Sequence, residues 1–446
     1  MSKRYMHLAA FCSQPGNHVA AWRHPQAATT HILDMSFYKQ FAQTAERGLF
    51  DLVFLADTLS VAEESGTQAQ FTIGHGVPFR ADPLSAMAVM ASVTERIGLV
   101  GTASTSHNEP FNIARRFAFL DHLSGGRIGW NIVTTASPAE ALNFGAGAYL
   151  AHDERYARAG EFVEVVRKLW DSWDDDAIVN DRVNGVYAAP QMVRRIDHVG
   201  RYFSVRGPLN VPRSPQGHPV LFQAGTSPVG RSFAASTADA IFMAAQTREE
   251  MASISEALRS QAKQHGRRDD ELRLLPGVLV FVGRTEQEAR EKQAALTALL
   301  LPEVGKALLT ELLGIDLGDF DLDAPFPEID PAQIPGIQSR YLLLRAMAQR
   351  EHLTLREVLA RVASGAGHRI VAGNPEQVAD ALEDWFRAGL VDGYAVLSPY
   401  LPGCLDDFVD LVIPALARRG LVRTAYEGTT LRDHLGLNRP VARGNR

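Results

Sequence analysis

The sequence predicts an α/β fold, a (β/α)8 TIM-like barrel carrying insertions. Three observations point there. Eight short apolar runs recur along the chain, nearly all continuous rather than alternating, as strands buried on both faces read. Almost every run is followed by a helical pattern, which makes parallel βαβ units and leaves a choice between a closed barrel and an open doubly wound sheet. The count of eight, with no dinucleotide fingerprint, favours the barrel. A length of 446 residues would suggest about three domains at roughly 150 residues each, but α/β barrels run well past that size as one unit. The whole chain, 1–446, is therefore read as a single domain.

Leu8–Phe11 is the first strand and ends in a polar loop, Ser13–His18. Apolar residues at helical spacing predict a helix over Phe37–Arg47, closed by Gly48. Leu52–Ala56 is the second strand and stops at Asp57; a polar insertion, 58–80, separates it from a helix at Pro83–Thr94. Gly98–Ser104 and Ile128–Thr134 are strands three and four, with a helix at Phe111–Leu123 between them. A long helix, Arg155–Trp173, places Phe162, Val165, Val166, Leu169 and Trp170 on one face. Strand five is Val220–Gln223, followed by a small-residue turn and a helix starting near Val229. Ala240–Ala244, Glu249–His265, Leu274–Val282 and Glu286–Leu301 continue the alternation. Residues 302–370 interrupt it with Pro-rich loops and short helices. It resumes with a helix at Pro375–Ala388, the eighth strand at Gly393–Leu397 and a helix at Leu405–Arg419.

Composition excludes several classes of partner. Apolar content of 46% and charged content of 22% are those of an ordinary globular protein. The net charge of −6 and the lack of a long basic tract argue against nucleic acid. Cys12 and Cys404 lie far apart, so neither a disulfide framework nor a zinc knuckle is expected, and a reducing cytoplasm is the simplest location. The apolar run after Lys3 and Arg4 is too short for a signal peptide. Leu274–Val282 falls well short of the roughly 20 residues of a membrane span.

In a parallel barrel the chemistry lies at the C-terminal strand ends. Those ends here are Cys12–His18, Asp57, Thr102–Asn108, Asn131–Thr135, Gly225–Ser227 and Gln246, mostly neutral hydrogen-bonding groups. No His-x-His pair stands at any of them, so no metal is expected. Two readings of Val220–Ala235 stand side by side. Gly225 with the Thr226 and Ser227 hydroxyls at a helix N-terminus makes a phosphate cradle, and the same residues make an ordinary Ser/Thr cap followed by Pro228. Gly225–Ser232, GTSPVGRS, is one residue from a Walker A loop, but Arg231 replaces the lysine and Pro228 removes a donor, which disfavours an NTPase. His152 and Tyr156, four apart, would face the same phosphate; otherwise Asp153 is a cap and His152 a solvated loop residue. Asp57 is equally readable as a solvated strand end, and Phe11, Phe54, Trp130 and Phe242 as barrel core.

The segments AAWRHP (Ala20–Pro25), ERGLFDLVFLAD (Glu46–Asp57), TERIGL (Thr94–Leu99), ARRFAFLDHLSGGRIGWNIVT (Ala114–Thr134), EALNFG (Glu140–Gly145), HDERYARAGEFVEVVRKLWDSW (His152–Trp173), VRGPLNVPRSPQGHPVLFQAGTSP (Val205–Pro228) and LRDHLGL (Leu431–Leu437) carry a resemblance. Together they resemble the bacterial luciferase-like superfamily, and within it the two-component, reduced-flavin-dependent monooxygenases. The likeness runs in order from the first strand to the tail. It implies reduced FMN at the strand ends, with Asp57, Thr102 and Ser104 on the isoalloxazine side and Asn131 on the ring or ribityl chain. His152, Tyr156, Thr226 and Ser227 would hold the phosphate. Phe11, Phe54 and Phe242, with His18, match the substrate side of the pocket. Thr226 stands where some members carry a second Ser, and Met243–Ala245 makes the end of strand six small and apolar.

The chemistry implied is reaction of FMNH2 with O2 to a C4a-hydroperoxide that oxygenates a small organic substrate of sulfone, amine or heterocycle type. A site for it must exclude water, which an apolar pocket with neutral donors does. His18 and Asn131 are the candidate catalytic groups, with His18 bonding the peroxide or positioning substrate. Lacking a nicotinamide site, the chain is expected to take FMNH2 from a separate NAD(P)H:flavin reductase. A homodimer or homotetramer is implied by the resemblance alone. The insertions 58–80 and 302–370 are read as lids. Two alternatives remain at this level: a barrel lyase or hydrolase acting on a phosphorylated substrate, and a flavin-binding relative without activity. Few basic groups near the aromatic set lean the substrate towards a neutral, apolar or aromatic molecule.

Overall fold

The computed structural model describes residues 4–29, 33–61, 73–135, 137–145, 150–225, 227–334, 338–365 and 367–442. Eight parallel strands form the barrel: β1 His7–Phe11, β2 Leu52–Leu55, β3 Gly98–Ser104, β4 Ile128–Val133, β5 Val220–Gln223, β6 Ala240–Met243, β7 Arg273–Val282 and β8 Gly393–Leu397. Pairing runs β6-β5-β4-β3-β2-β1-β8-β7, and the β6–β7 ladder from Ala240–Arg273 to Met243–Pro276 closes the circle. The predicted TIM-like barrel is the observed fold. The predicted runs overshoot the strands by one residue at Ala56, Thr134 and Ala244, where apolar or β-favouring residues continue past the last ladder bond.

The surrounding helices begin where capping chemistry places them. Asp34 accepts from Ser36 N–H ahead of α1, Met35–Arg47, and Asp82 from Ser85 N–H ahead of α2, Pro83–Ala91. Pro110–Leu123 is α3. After a single short turn of helix at Pro138–Leu142, the long helix α4 spans His152–Trp170, starting three residues earlier than the periodicity predicts because its first turn carries polar residues rather than the apolar stripe. Ala151 is its N-cap, so the capping reading of Asp153 is corrected. Pro228–Thr237 forms α5 under a Ser227 cap, Arg248–Gln264 forms α6 under Thr247 and Glu286–Ala298 forms α7 under Thr285.

Residues 302–370 are more ordered than Pro-rich loop. Three helices, α8 Pro302–Leu313, α9 Gln338–Glu351 and α10 Leu355–Gly365, pack around their own apolar cluster that includes Leu309, Leu313, Tyr341, Leu344 and Val358. A further strand, Arg369–Gly373, pairs with Val278–Val282 of β7, beyond the point where β6 has ended. Of the 58–80 insertion, residues 62–72 lie outside the described residues. Helix α11, Pro375–Arg387, leads into β8 under an Asn374 capping box.

Alternation sorts the strand residues. Trp130 points outward and packs against Phe117, Phe162 and Trp170 of the helical ring, whereas Leu52, Phe54, Val100, Val220, Phe222 and Leu275 fill the barrel. Leu431, Leu435 and Leu437 of the C-terminal tail join that interior cluster and stopper the N-terminal mouth. Buried charges fasten the stopper. Arg432 reaches Asp239 at 2.9 Å and His218 O at 3.0 Å, and Arg423 pairs with Asp51. Among the described residues no helix is long and apolar enough to cross a membrane.

Candidate active site

With one mouth stoppered, the chemistry-bearing side chains collect at the other. On β3 the inward positions that follow Val100 are Thr102 and Ser104; on β4 the neighbouring inward position is Asn131, in register with Thr102. Thr102 Oγ1 donates to Leu55 O at 2.8 Å and accepts from Asn131 Nδ2 at 2.8 Å. That bond orients the amide and leaves Asn131 Oδ1 buried with no partner among the described residues. Ser104 Oγ lies 2.6 Å from Thr135 Oγ1 and accepts from Ser106 N–H at 3.1 Å. Three of the predicted residues thus sit on adjoining strands, and one open acceptor, Asn131 Oδ1, suits a donor from a ligand.

A cradle forms between α4 and the start of α5. Ser227 Oγ accepts from Gly230 N–H at 3.1 Å and stands 3.3 Å from His152 Nε2. His152 Nδ1 faces Asp153 Oδ1 at 3.0 Å. Tyr156 packs on the His152 ring, centroids 5.1 Å apart, and on Phe233 at 5.6 Å. Its hydroxyl hangs over two glycines. A Cβ on Gly230 would meet Tyr156 Oη at 2.7 Å, and one on Gly225 would meet it at 3.0 Å. The capping reading of Ser227 holds, and the capping hydroxyl also faces His152. His152, Tyr156 and Ser227 converge as expected; Thr226 lies outside the described residues.

Beneath the mouth lies an aromatic floor. Phe11, Phe54 and Phe242 stand mutually 5.3, 5.4 and 5.5 Å apart, and Phe222 adds a fourth ring 5.9 Å from Phe54. They close the top of the barrel core, so they are core and floor at once. His18, in the loop after β1, is almost fully buried, and its Nδ1 accepts from Ala20 N–H at 3.0 Å. Burial holds its pKa down at about 4, so the ring is neutral and its proton sits on Nε2. Nε2 is enclosed without a partner among the described residues.

Comparison with known proteins gives the family of the chain. A family model described as luciferase-like monooxygenase matches residues 15–392. The chain is 45% identical to nitrilotriacetate monooxygenase component A of Aminobacter aminovorans over 98% of each chain. It is 43% identical to dibenzothiophene-sulfone monooxygenase of Rhodococcus erythropolis (strain XP) over 99% of each. The chain belongs to the luciferase-like monooxygenase family. Among solved structures, it superposes with a TM-score of 0.87 at 34% identity on riboflavin lyase with modified FMN and substrate riboflavin, over 99% of this chain and 98% of that one. This luciferase-like monooxygenase is an enzyme of the flavin-dependent, two-component type.

Asp57 marks the polar rim of the monooxygenase's mouth. Half-buried, it accepts from Thr58 N–H at 2.9 Å, yet burial, with Asp82 and Glu140 nearby, raises its pKa to about 6. One residue at the floor escaped the sequence reading. His368 approaches Phe242 with centroids 5.2 Å apart, and a Cβ on Gly277 of β7 would lie 2.4 Å from its Nδ1. It went unnoticed because it ends the 302–370 insertion. The signal was the apolar run at Ile370–Ala372, which makes His368 the residue just before a strand.

Proposed function

We propose that this enzyme binds reduced FMN across the β3–β5 strand ends and uses O2 to oxygenate a small aromatic or apolar molecule. The observation that carries the reading is the cradle: two glycines whose missing side chains let Tyr156 Oη close on a helix N-terminus lined by His152 and Ser227. The orphaned Asn131 Oδ1 supports it independently, since a reduced isoalloxazine offers N–H donors. His152, Tyr156 and Ser227, with Thr226, hold the phosphate; Asn131, Thr102, Ser104 and Asp57 border the ring system. Bound reduced flavin supplies the electrons that activate O2, one atom entering substrate and the other leaving as water.

The protein's own part is positioning and exclusion. Asn131 orients the ring through an acceptor whose direction Thr102 fixes. Phe11, Phe54 and Phe242 offer flat apolar surface and keep water from the reacting centre, where solvent would uncouple flavin oxidation from oxygen transfer. An ionic substrate would lose its hydration over that floor without a compensating charge. His18, a neutral donor at Nε2, holds a proton towards the substrate or the oxygen being transferred. A separate NAD(P)H:flavin reductase delivers FMNH2, and the cytoplasm, where buried Cys12 and Cys404 stay reduced, is the setting.

Anaerobic titration with FMNH2 followed by an oxygen pulse tests the reading. The expected result is saturable binding and reoxidation of bound flavin on a different time course from free flavin, altered again by substrate. No binding of FMNH2 would replace the reading with an enzyme for a phosphorylated metabolite. His18→Ala should lower the product formed per flavin oxidised. In the parent enzyme that ratio should stay flat from about pH 7 to 9, above the titration of Asp57 near 6, because a histidine with its pKa near 4 stays neutral throughout. A ratio identical in the two proteins would remove His18 from the site.

A further inference from the structure

One cation on the helix that begins at the cradle has no counter-charge among the described residues. Arg231 lies one turn beyond Ser227 on α5, its N–H donating to Ser227 O at 2.8 Å. Residues four apart share a helix face, which puts Arg231 on the flank that Ser227 heads, and helical side chains lean towards the N-terminus. It is half-buried, and its Nε is fully enclosed without a partner. Among the described residues its guanidinium makes no hydrogen bond, ion pair or ring contact. Other arginines at similar depth are engaged: Arg158 donates to Thr105 O, Arg167 to Thr237 O at 2.7 Å and Arg267 to Ala238 O at 2.6 Å.

The cradle lacks such a charge. His152, Tyr156 and Ser227 are donors that stabilise a phosphate oxygen by hydrogen bonding, but a phosphate dianion leaving water needs neutralisation as well. A half-buried guanidinium with an enclosed Nε and no anion among the described residues is the complementary problem. Arg231 also stands at the position of the near-Walker stretch GTSPVGRS where a phosphate-binding lysine would be.

We propose that Arg231 is the counter-ion of the FMN phosphate and the group by which this site prefers FMN to riboflavin. The inference rests on the cradle's being the FMN phosphate site. Its planar fork suits two phosphate oxygens at once, whereas the neutral donors fix where the phosphate sits.

Equilibrium binding of FMN and of riboflavin to the whole enzyme, read by flavin fluorescence, provides the test without turnover. The parent protein should bind FMN more tightly than riboflavin. Arg231→Met, which keeps the apolar stem, should weaken FMN by roughly tenfold or more and riboflavin by less than about twofold. Arg231→Lys should recover part of the loss, and rising salt should weaken FMN more in the parent than in Arg231→Met. Equal weakening of both flavins, or of neither, would overturn the role of Arg231; if Ser227→Ala still weakens FMN selectively, the cradle survives that failure. A parent protein indifferent to the phosphate would instead overturn the cradle itself.

Discussion

Gly230→Ala is expected to cut FMN affinity by at least about a hundredfold while barely changing stability. Its Cβ would lie 2.7 Å from Tyr156 Oη and 3.0 Å from Ser227 Oγ, the two oxygens that face the phosphate in the proposed site. Tyr156 must move, and two hydrogen bonds to a charged ligand, each contributing about 1.5–3 kcal/mol, are lost together. The fold itself has little against alanine there. Gly230 sits in the first turn of α5, and Gly→Ala at a compatible helical position stabilises by about 0.4–1 kcal/mol, offsetting the cost of displacing one tyrosine. Binding and melting should therefore separate. Flavin fluorescence titration and a thermal melt on the same sample would show it, and unchanged FMN affinity would move the phosphate elsewhere.

Asp51→Asn is expected to act on the other end of the barrel and in the opposite way, destabilising by about 3–5 kcal/mol with little direct effect on the flavin site. Asp51 is 1% exposed, accepts from Leu8 N–H at 2.7 Å, faces His7 Nδ1 at 3.0 Å and pairs with Arg423. The asparagine leaves the Arg423 guanidinium buried without its carboxylate. Because Arg423 also donates to His434 O, beside the Leu431 and Leu435 stopper, the tail should loosen first. Burial alone would raise the Asp51 pKa, but His7, Arg423 and the Leu8 N–H outweigh it and hold it below the ordinary carboxylate range. A depressed folded pKa means the contribution is complete above the unfolded value of about 3.9 and fades as pH falls through the folded value. Urea unfolding should accordingly show a gap between parent and variant that is wide at neutral pH and narrows in acid. A constant gap would mean the ion pair is not its source.

These two sites also divide what the chain states locally from what it does not. Strands β1 to β8 were legible because a strand buried on both faces must be a continuous apolar run, and Val220–Gln223 or Gly393–Leu397 are that in isolation. Ser227–Pro228 announced a helix start for the same local reason, through a cap and a ring-fixed φ. Strand-end position alone nominates Thr102, Asn131 and Ser227. Only tertiary structure decided the rest. His152 meets Ser227 across 75 residues of sequence, Arg423 meets Asp51 across 372, and His368 reaches Phe242 because Arg369–Gly373 docks on β7 where β6 has ended. Such contacts follow from barrel closure, in which the register of each strand on its neighbour fixes which distant side chains share a mouth. A local pattern records propensity and burial; it carries no term for the partner that a closed sheet brings round.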